Sequence, residues 1–353
     1  RAFDATRARV TALTNEMGKL TKAQEQTARG AKALQMGGIV AAGGAAVTYA
    51  LANPIKQAMT FDERLAHMSN TAFRERDVVG RKVGMNELRT AIDKAQQSGG
   101  GTREGAAEAL DSMIASGAMS PTQAVAMLPH VTKAASAANA DPTQLANIGI
   151  RAMQTFKIKP EDMPNVMNMA LAAGQAGGFE LKDMSKWLPQ QMAAATMSGL
   201  SGKEGFAKLA ALNQAAAITA GSKDEAGNNV VNLLGKINSH DTANDAKKLG
   251  INLPEYLQKK RAQGVDSVDA FGELVSNTVS KRADYQELQK KLKSAGSDGE
   301  RRDALEGMAT IAQGAGIGKL IQDRQALMAL LGMMNNKEYM AQVLKEVRAN
   351  DVR

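Results

Sequence analysis

Helix-breaking residues punctuate this sequence too often for any long rod to form. They fall at Asn53–Pro54, Ser98–Gly101, Ser120–Pro121, Asp141–Pro142 and Gly199–Gly202. An interior Pro lacks the N–H that a helix needs and clashes with the preceding turn. Drawn out as one helix at about 1.5 Å per residue, the 353 residues would reach roughly 530 Å. With these breaks the chain must instead be a compact or kinked body. Between them, apolar residues recur at helical spacing, and no stretch alternates β-branched with polar residues over a strand's length. The expectation is all-α, with essentially no sheet.

The helix starts can be read individually. Ser120–Pro121 and Asp141–Pro142 each join a capping side chain to a Pro suited to the first helical position. Lys159–Pro160 is followed by Glu161 and Asp162, placed where the helix dipole favours negative charge. Thr102 caps a helix, and Ser201 with Glu204 reads as a capping box. Pro121, Pro160 and Gly202 lie 39 and 42 residues apart, and a second start (Pro142, Glu180, Lys223) follows each after 21, 20 and 21 residues. Helix pairs at that period resemble an α-helical repeat array, although the residue identities hardly repeat and chance spacing of ordinary helices competes.

Aromatics make up only 3% of the chain against 44% hydrophobic residues in total, so the cores must be built from Ala, Leu, Met and Val. The absence of Cys excludes disulfides, zinc–thiolate sites, thiol catalysis and iron–sulfur clusters. The net charge of +8 is spread thinly: residues 1–34 carry seven basic and three acidic side chains, and the remainder is mixed. A nucleic-acid binder concentrates its charge in a stripe, so no specific nucleic-acid partner is expected.

The chain divides by pattern into residues 1–36, 37–55, 56–240 and 241–353. In the first, Phe3, Thr6, Val10, Leu13, Met17, Leu20, Gln24, Thr27, Ala31 and Leu34 alternate by three and four, as coiled-coil seam positions do. Val10, Leu13, Met17, Leu20 and Leu34 are the expected oligomerisation seam. The competing reading is a helix lying on its own domain. Residues 33–55 contain no charge, and their length suffices for a bilayer. They are rich in Ala and Gly, however, and a helix buried inside an assembly ranks ahead of a membrane span. Ile39, Val40, Val47 and Leu51 would make the membrane or assembly contact. Phe61, Met68, Phe156 and Trp187 are expected core or interface anchors. Beyond residue 250, helices are expected over 266–293, 301–313, 320–334 and 337–347. The first residue is Arg and the helical pattern is already running at residue 3, which reads as a piece of a longer or processed polypeptide.

Catalytic motifs fail on inspection. Gly314-Ala-Gly316-Ile-Gly318-Lys319-Leu320 has one residue too few for a phosphate loop, Leu where the hydroxyl should stand, and no preceding strand. A hinge between two helices fits it better. His67, His130 and His240 are far apart, and no zinc, nucleophile-elbow or kinase motif is present. No catalytic residue, metal site or cofactor is expected, and the chain reads as a non-enzyme.

Residues 38 to about 240 resemble the core region of phage tail tape measure proteins. The resemblance rests on an ordered set: Asn53-Pro54-Ile55, then Phe61-Asp62-Glu63 and Met68, then Ala115-Ser116-Gly117, then Asp141-Pro142-Thr143-Gln144-Leu145. Phe156, Phe179-Glu180-Leu181-Lys182-Asp183-Met184, Gly199-Leu200-Ser201-Gly202-Lys203-Glu204 and the helix over 220–234 complete it. The heptad arm and the helix over 318–334 fit as well. The resemblance implies a scaffold and internal ruler present in copies, as a trimer or hexamer, in the lumen of a tail assembled in the host cytoplasm. Its implied partners are the tail tube protein, tail-tip or baseplate proteins and assembly chaperones, with the host inner membrane met on ejection. Two readings from other classes stay open. One is a membrane-active protein inserting through residues 33–55. The other is a soluble α-helical module that binds another protein.

Overall fold

A computed structural model describes residues 60–350 of the chain, which is organised as two units, Arg1–Arg64 and Leu65–Arg353. The seam residues Val10, Leu13, Met17, Leu20 and Leu34, and Ile39, Val40, Val47 and Leu51, lie outside the described residues. Within those described, every regular element is helical, in agreement with the all-α expectation. Of the first unit, residues 60–64 are described. They hold a cap in which the Thr60 N–H donates to the Glu63 carboxylate at 2.8 Å and the Glu63 N–H to the Thr60 hydroxyl at 3.3 Å.

The helices are α1 (Phe61–Ala72), α2 (Val78–Gly99), α3 (Arg103–Ala115), α4 (Pro121–Ala138) and α5 (Pro142–Phe156). A 3-10 turn (Pro160–Asp162) leads into α6 (Met163–Ala176), then α7 (Leu181–Met197), α8 (Gly202–Thr219) and α9 (Lys223–Ile237). The remainder comprises α10 (His240–Lys248), α11 (Leu253–Ala262), α12 (Ser267–Val279), α13 (Ala283–Ser294), α14 (Asp298–Ala312), a short α15 (Gly318–Leu320), α16 (Arg324–Asn335) and α17 (Lys337–Ala349).

Alternate helices pack on one another. In one layer α2 meets α4, α4 meets α6 and α6 meets α8; in the other α3 meets α5, α5 meets α7 and α7 meets α9. The body is therefore an array of four helix pairs, and five of the six starts read from the sequence are α-helix starts or N-caps, while Pro160 begins the 3-10 turn and α6 follows at Met163. Ser120 forms a capping box with Gln123, and Asp141 accepts from the Thr143 N–H at 2.7 Å. One cap differs. Ser201 stands at the N-cap of α8 but makes no side-chain cap bond. Glu204 instead forms an ion pair with Arg348 of α17 at 2.8 Å, drawn away by a long-range partner.

The layers approach closely where small residues allow it. A Cβ on Gly99 of α2 would fall 2.2 Å from Thr132 Oγ1 of α4, and that hydroxyl donates to the Ala95 carbonyl at 3.1 Å. The C-terminal helices then close the end of the array. α16 lies on α8 and α9, α17 on α6 and α8, and α14 on α16, with α13 packed against α14. The charged region read as one helix over 266–293 is two, α12 and α13, separated at Ser280–Arg282. The Gly cluster at 314–318 forms a π-turn, Gln313–Ile317, with Gly316 at φ 89°. That left-handed value favours glycine.

α8 is the hub. It touches α5, α6, α7, α9, α14, α16 and α17, and nearly every side chain from Gly205 to Ala216 is buried. A helix apolar all round is buried all round. Two polar residues interrupt this one. Asn213 and Gln191 of α7 exchange both amide bonds, at 2.6 and 2.8 Å, and Gln191 also donates to the Gly227 carbonyl of α9 at 3.0 Å. Gln214 accepts from the Phe179 N–H at 2.9 Å and donates to the Ala173 carbonyl at 2.8 Å, so it pins the α6–α7 turn. All three amides are completely buried. Lys208 of α8 also pairs with Asp269 at 2.6 Å and lies 3.6 Å from Asp266, the N-cap of α12. Burial pushes the Asp266 carboxyl above its ordinary value, and Lys208 opposes that shift.

Removing one member of a buried amide pair strands the other, at a cost of about 1–3 kcal/mol. Asn213→Ala should therefore lower unfolding stability by that amount. Asn213→Leu combined with Gln191→Met should recover part of the loss, because neither polar group is then left unpaired. Urea denaturation of the two variants decides the matter; equal losses would deny the pairing any role.

Candidate assembly surface

Three parts of the described structure have the chemistry of contact surfaces. The first is the start of α2. The α1–α2 turn is held by arginines: Arg76 lies 3.9 Å over the Phe73 ring and bonds Glu87 at 2.8 and 3.3 Å, and Arg81 donates to the Arg74 and Arg76 carbonyls, each at 3.0 Å. Asp77 caps α2 through the Gly80 N–H at 2.7 Å. On this rigid corner Val78, Val79 and Val83 are 70%, 69% and 52% exposed. β-Branched residues are mediocre helix formers, so neither helix propensity nor core packing accounts for three of them here. A shallow depression lined by Ser69, Asn70, Arg81 and Met85 adjoins them. Exposed apolar clusters of this kind mark contact sites.

The second is the outer seam between α7 and α9. Trp187 is half-buried, its ring pressed against Gly227, where a Cβ would come within 2.3 Å of the ring. The indole N–H donates to the Asp224 carboxylate at 3.0 Å, which Lys186 also bonds at 2.6 Å. These bonds, first from Lys186 and then from Trp187, hold the Asp224 carboxyl below its ordinary value.

The third is the face of α6 and α8 that α17 covers. Met340, Val343 and Val347 of α17 are buried there, and the Tyr339 hydroxyl lies 3.4 Å from the Ala176 carbonyl.

The four proposed anchors occupy different places. Met68 of α1 and Phe156 at the end of α5 are buried, whereas Phe61 and Trp187 are half-buried. They do not converge into one site. His67, His130 and His240 are all exposed. Among the described residues no group of three or more His, Cys, Asp or Glu is placed to hold a metal ion. Among them, too, no helix is long and apolar enough to cross a membrane; residues 33–55 lie outside that set. Sequence reasoning missed the valine corner and the Gln191–Asn213–Gln214 lock. The Val78–Val79 pair directly after the Asp77 cap was a visible signal for the corner. The adjacent Asn213–Gln214 inside an Ala/Leu run was one for the lock.

An array of helix pairs that offers apolar and mixed-charge faces defines the class, an all-α protein of stacked helix pairs. The family model for "Phage-related minor tail protein" matches residues 92–286, more than half of the sequence and all of α3 to α12, and the chain belongs to that family. It is thus a structural component of a phage or phage-derived tail. It is similar to the "Probable tape measure protein" of Burkholderia phage BcepMu, with 27% identity over 334 residues. That alignment covers 94% of this chain and 38% of the relative, so the chain spans about two fifths of the relative's length. No solved structure matches the chain.

Trp187 is the sole tryptophan and so reports this seam alone. A carboxyl whose folded value is depressed supports the fold above its unfolded value, and that support is lost as pH falls through the folded value. Trp187 fluorescence should therefore change on acidification with a midpoint below that of an ordinary aspartate, and Asp224→Asn should abolish the step. An unaltered step in that variant would separate Asp224 from the signal.

Proposed function

We propose that this chain is part of the internal tape measure of the tail and a scaffold on which the tail tube protein assembles. The similarity of 94% of the chain to a tape measure protein carries this reading. On it, residues 1–36 form a coiled-coil arm through Val10, Leu13, Met17, Leu20 and Leu34, setting a trimer or hexamer. Residues 37–55 pack within the assembly, 56–240 form the helical core and 241–353 the C-terminal segment. The molecule occupies the tail lumen after assembly in the host cytoplasm. It engages the tube protein, tail-tip or baseplate proteins and assembly chaperones, and residues 33–55 are available to the host inner membrane on ejection. The array itself is no ruler, because its helices fold back on each other; ruling length comes from sequence beyond these residues or from an extended state of the chain.

The array also supports a second reading, a module that binds another protein, since stacked helix pairs build extended binding surfaces. Light scattering on the 1–353 chain beside a Leu13→Asp/Leu20→Asp variant separates the two. Charges buried in a seam are costly, so the scaffold reading expects a trimer or hexamer that falls to monomer in the variant. A monomer in both samples would remove the arm's role and favour the module.

A further inference from the structure

α16 and α17 are separated by a single residue, Asn336. Its backbone, at φ −125° and ψ 35°, turns the chain out of the helix, and it is neither Gly nor Pro. In a continuous helix the Asn336 N–H would bond the Gly332 carbonyl. Here the Asn336 side-chain amide occupies that carbonyl at 2.7 Å, while the main-chain N–H reaches back one residue less, to Met333, at 3.4 Å. The side chain thus caps the last turn of α16, taking the carbonyl that its own N–H leaves. Setting this one residue to helical angles would bring the Lys337, Glu338 and Tyr339 N–H groups into line with the Met333, Met334 and Asn335 carbonyls and fuse α16 and α17 into one helix from Arg324 to Ala349, about 39 Å long at 1.5 Å per residue.

What α17 would leave behind is equally defined. It scarcely touches α16, its neighbour in sequence, and packs instead on α6 and α8, more than a hundred residues away. It contributes Met340, Val343 and Val347, the Tyr339 contact and the Arg348–Glu204 pair. A bare α6/α8 face would be apolar, and the segment that fits it is α17. The same contacts are available from α17 of another copy, so exchange between copies gains and loses nothing at the face itself.

We infer that Asn336 is a hinge, and that straightening it lets α17 of one copy fill the α6/α8 groove of a second copy of this chain. In the exchange each copy gives one helix and receives one, which closes as a reciprocal pair or links copies into a larger ring or a row. It stands on the α16–α17 geometry and does not depend on the coiled-coil arm.

The absence of Cys allows a direct test. Two chains are made in the Leu13→Asp/Leu20→Asp background, so that the arm contributes nothing: one carries Glu204→Cys and the other Arg348→Cys. Both positions are exposed at the rim of the groove. The two chains are unfolded and refolded together, then treated with a short bismaleimide whose span is chosen on the Glu204→Cys/Arg348→Cys double variant. A covalent dimer in the mixture, above that given by either chain alone, reports α17 seated in trans. Adding Asn336→Ala should raise the dimer fraction and Asn336→Gly lower it, the exchange equilibria differing about fivefold through the helix propensities of Ala and Gly. No dimer above the single-chain level, or a yield indifferent to residue 336, would overturn the inference. Because exchange itself joins copies, the arm's oligomerisation is judged separately, by light scattering on chains that have not been unfolded and refolded.

Discussion

The completely buried amides of α8 are the constraint on which the other packing relations rest. A helix whose circumference is apolar can rotate or slide among apolar neighbours with little change in energy. Asn213 and Gln214 remove that freedom, because each has partners at only one rotation and one height. Asn213 fixes α8 against α7 and, through Gln191, against α9; Gln214 fixes it against the α6–α7 turn. An unsatisfied amide in such surroundings is costly, which makes the wrong registers expensive more than it makes the right one strong. With α8 fixed, α16 and α17 have a defined surface on which to close the array.

The scarcity of aromatics suits this architecture. Seven helices can gather around α8 because Ala occupies so much of its surface, and Gly332 of α16 lies so near that a Cβ there would stand 3.0 Å from the Ala215 carbonyl. Larger side chains fill the gaps left by this close approach: Phe206 on α8, Phe179 before α7 and Phe271 on α12 are all completely buried. Each such side chain contributes about 1.5–3 kcal/mol through removal from water. Leu, Val and Ile supply most of the rest, and Met, with an unbranched side chain, adapts to irregular spaces.

Much of this fold was legible because helix starts are local chemistry. Pro121, Pro142 and Thr102 mark true starts and Pro160 opens the 3-10 turn before α6, since a cap or a Pro acts within one turn of itself. Legibility failed where a distant partner intervened. Ser201 and Glu204 have the residues of a capping box, but Arg348, 144 positions away, takes the carboxylate. The break at Ser280–Arg282 has no Pro or Gly to announce it, so α12 and α13 read as one helix. The candidate surfaces were less legible still. Trp187 was noticeable as a lone aromatic, but nothing in its neighbourhood names Asp224 or Gly227, and the amide lock joins residues from three helices. Val78, Val79 and Val83 look like core residues by type; the Val78–Val79 pair after the Asp77 cap marks the place, but only the packed structure shows that they face outward.

The placement of α17 also orders events in time. During synthesis, the α6/α8 face is complete once Thr219 has emerged, yet its cover is made about 130 residues later. At roughly 5–20 residues per second, that face waits on the order of ten seconds without its partner. Over that interval a nascent chain carries an apolar strip able to join any neighbouring chain on the same polysome, and the thirteen residues of α17 are what end that exposure.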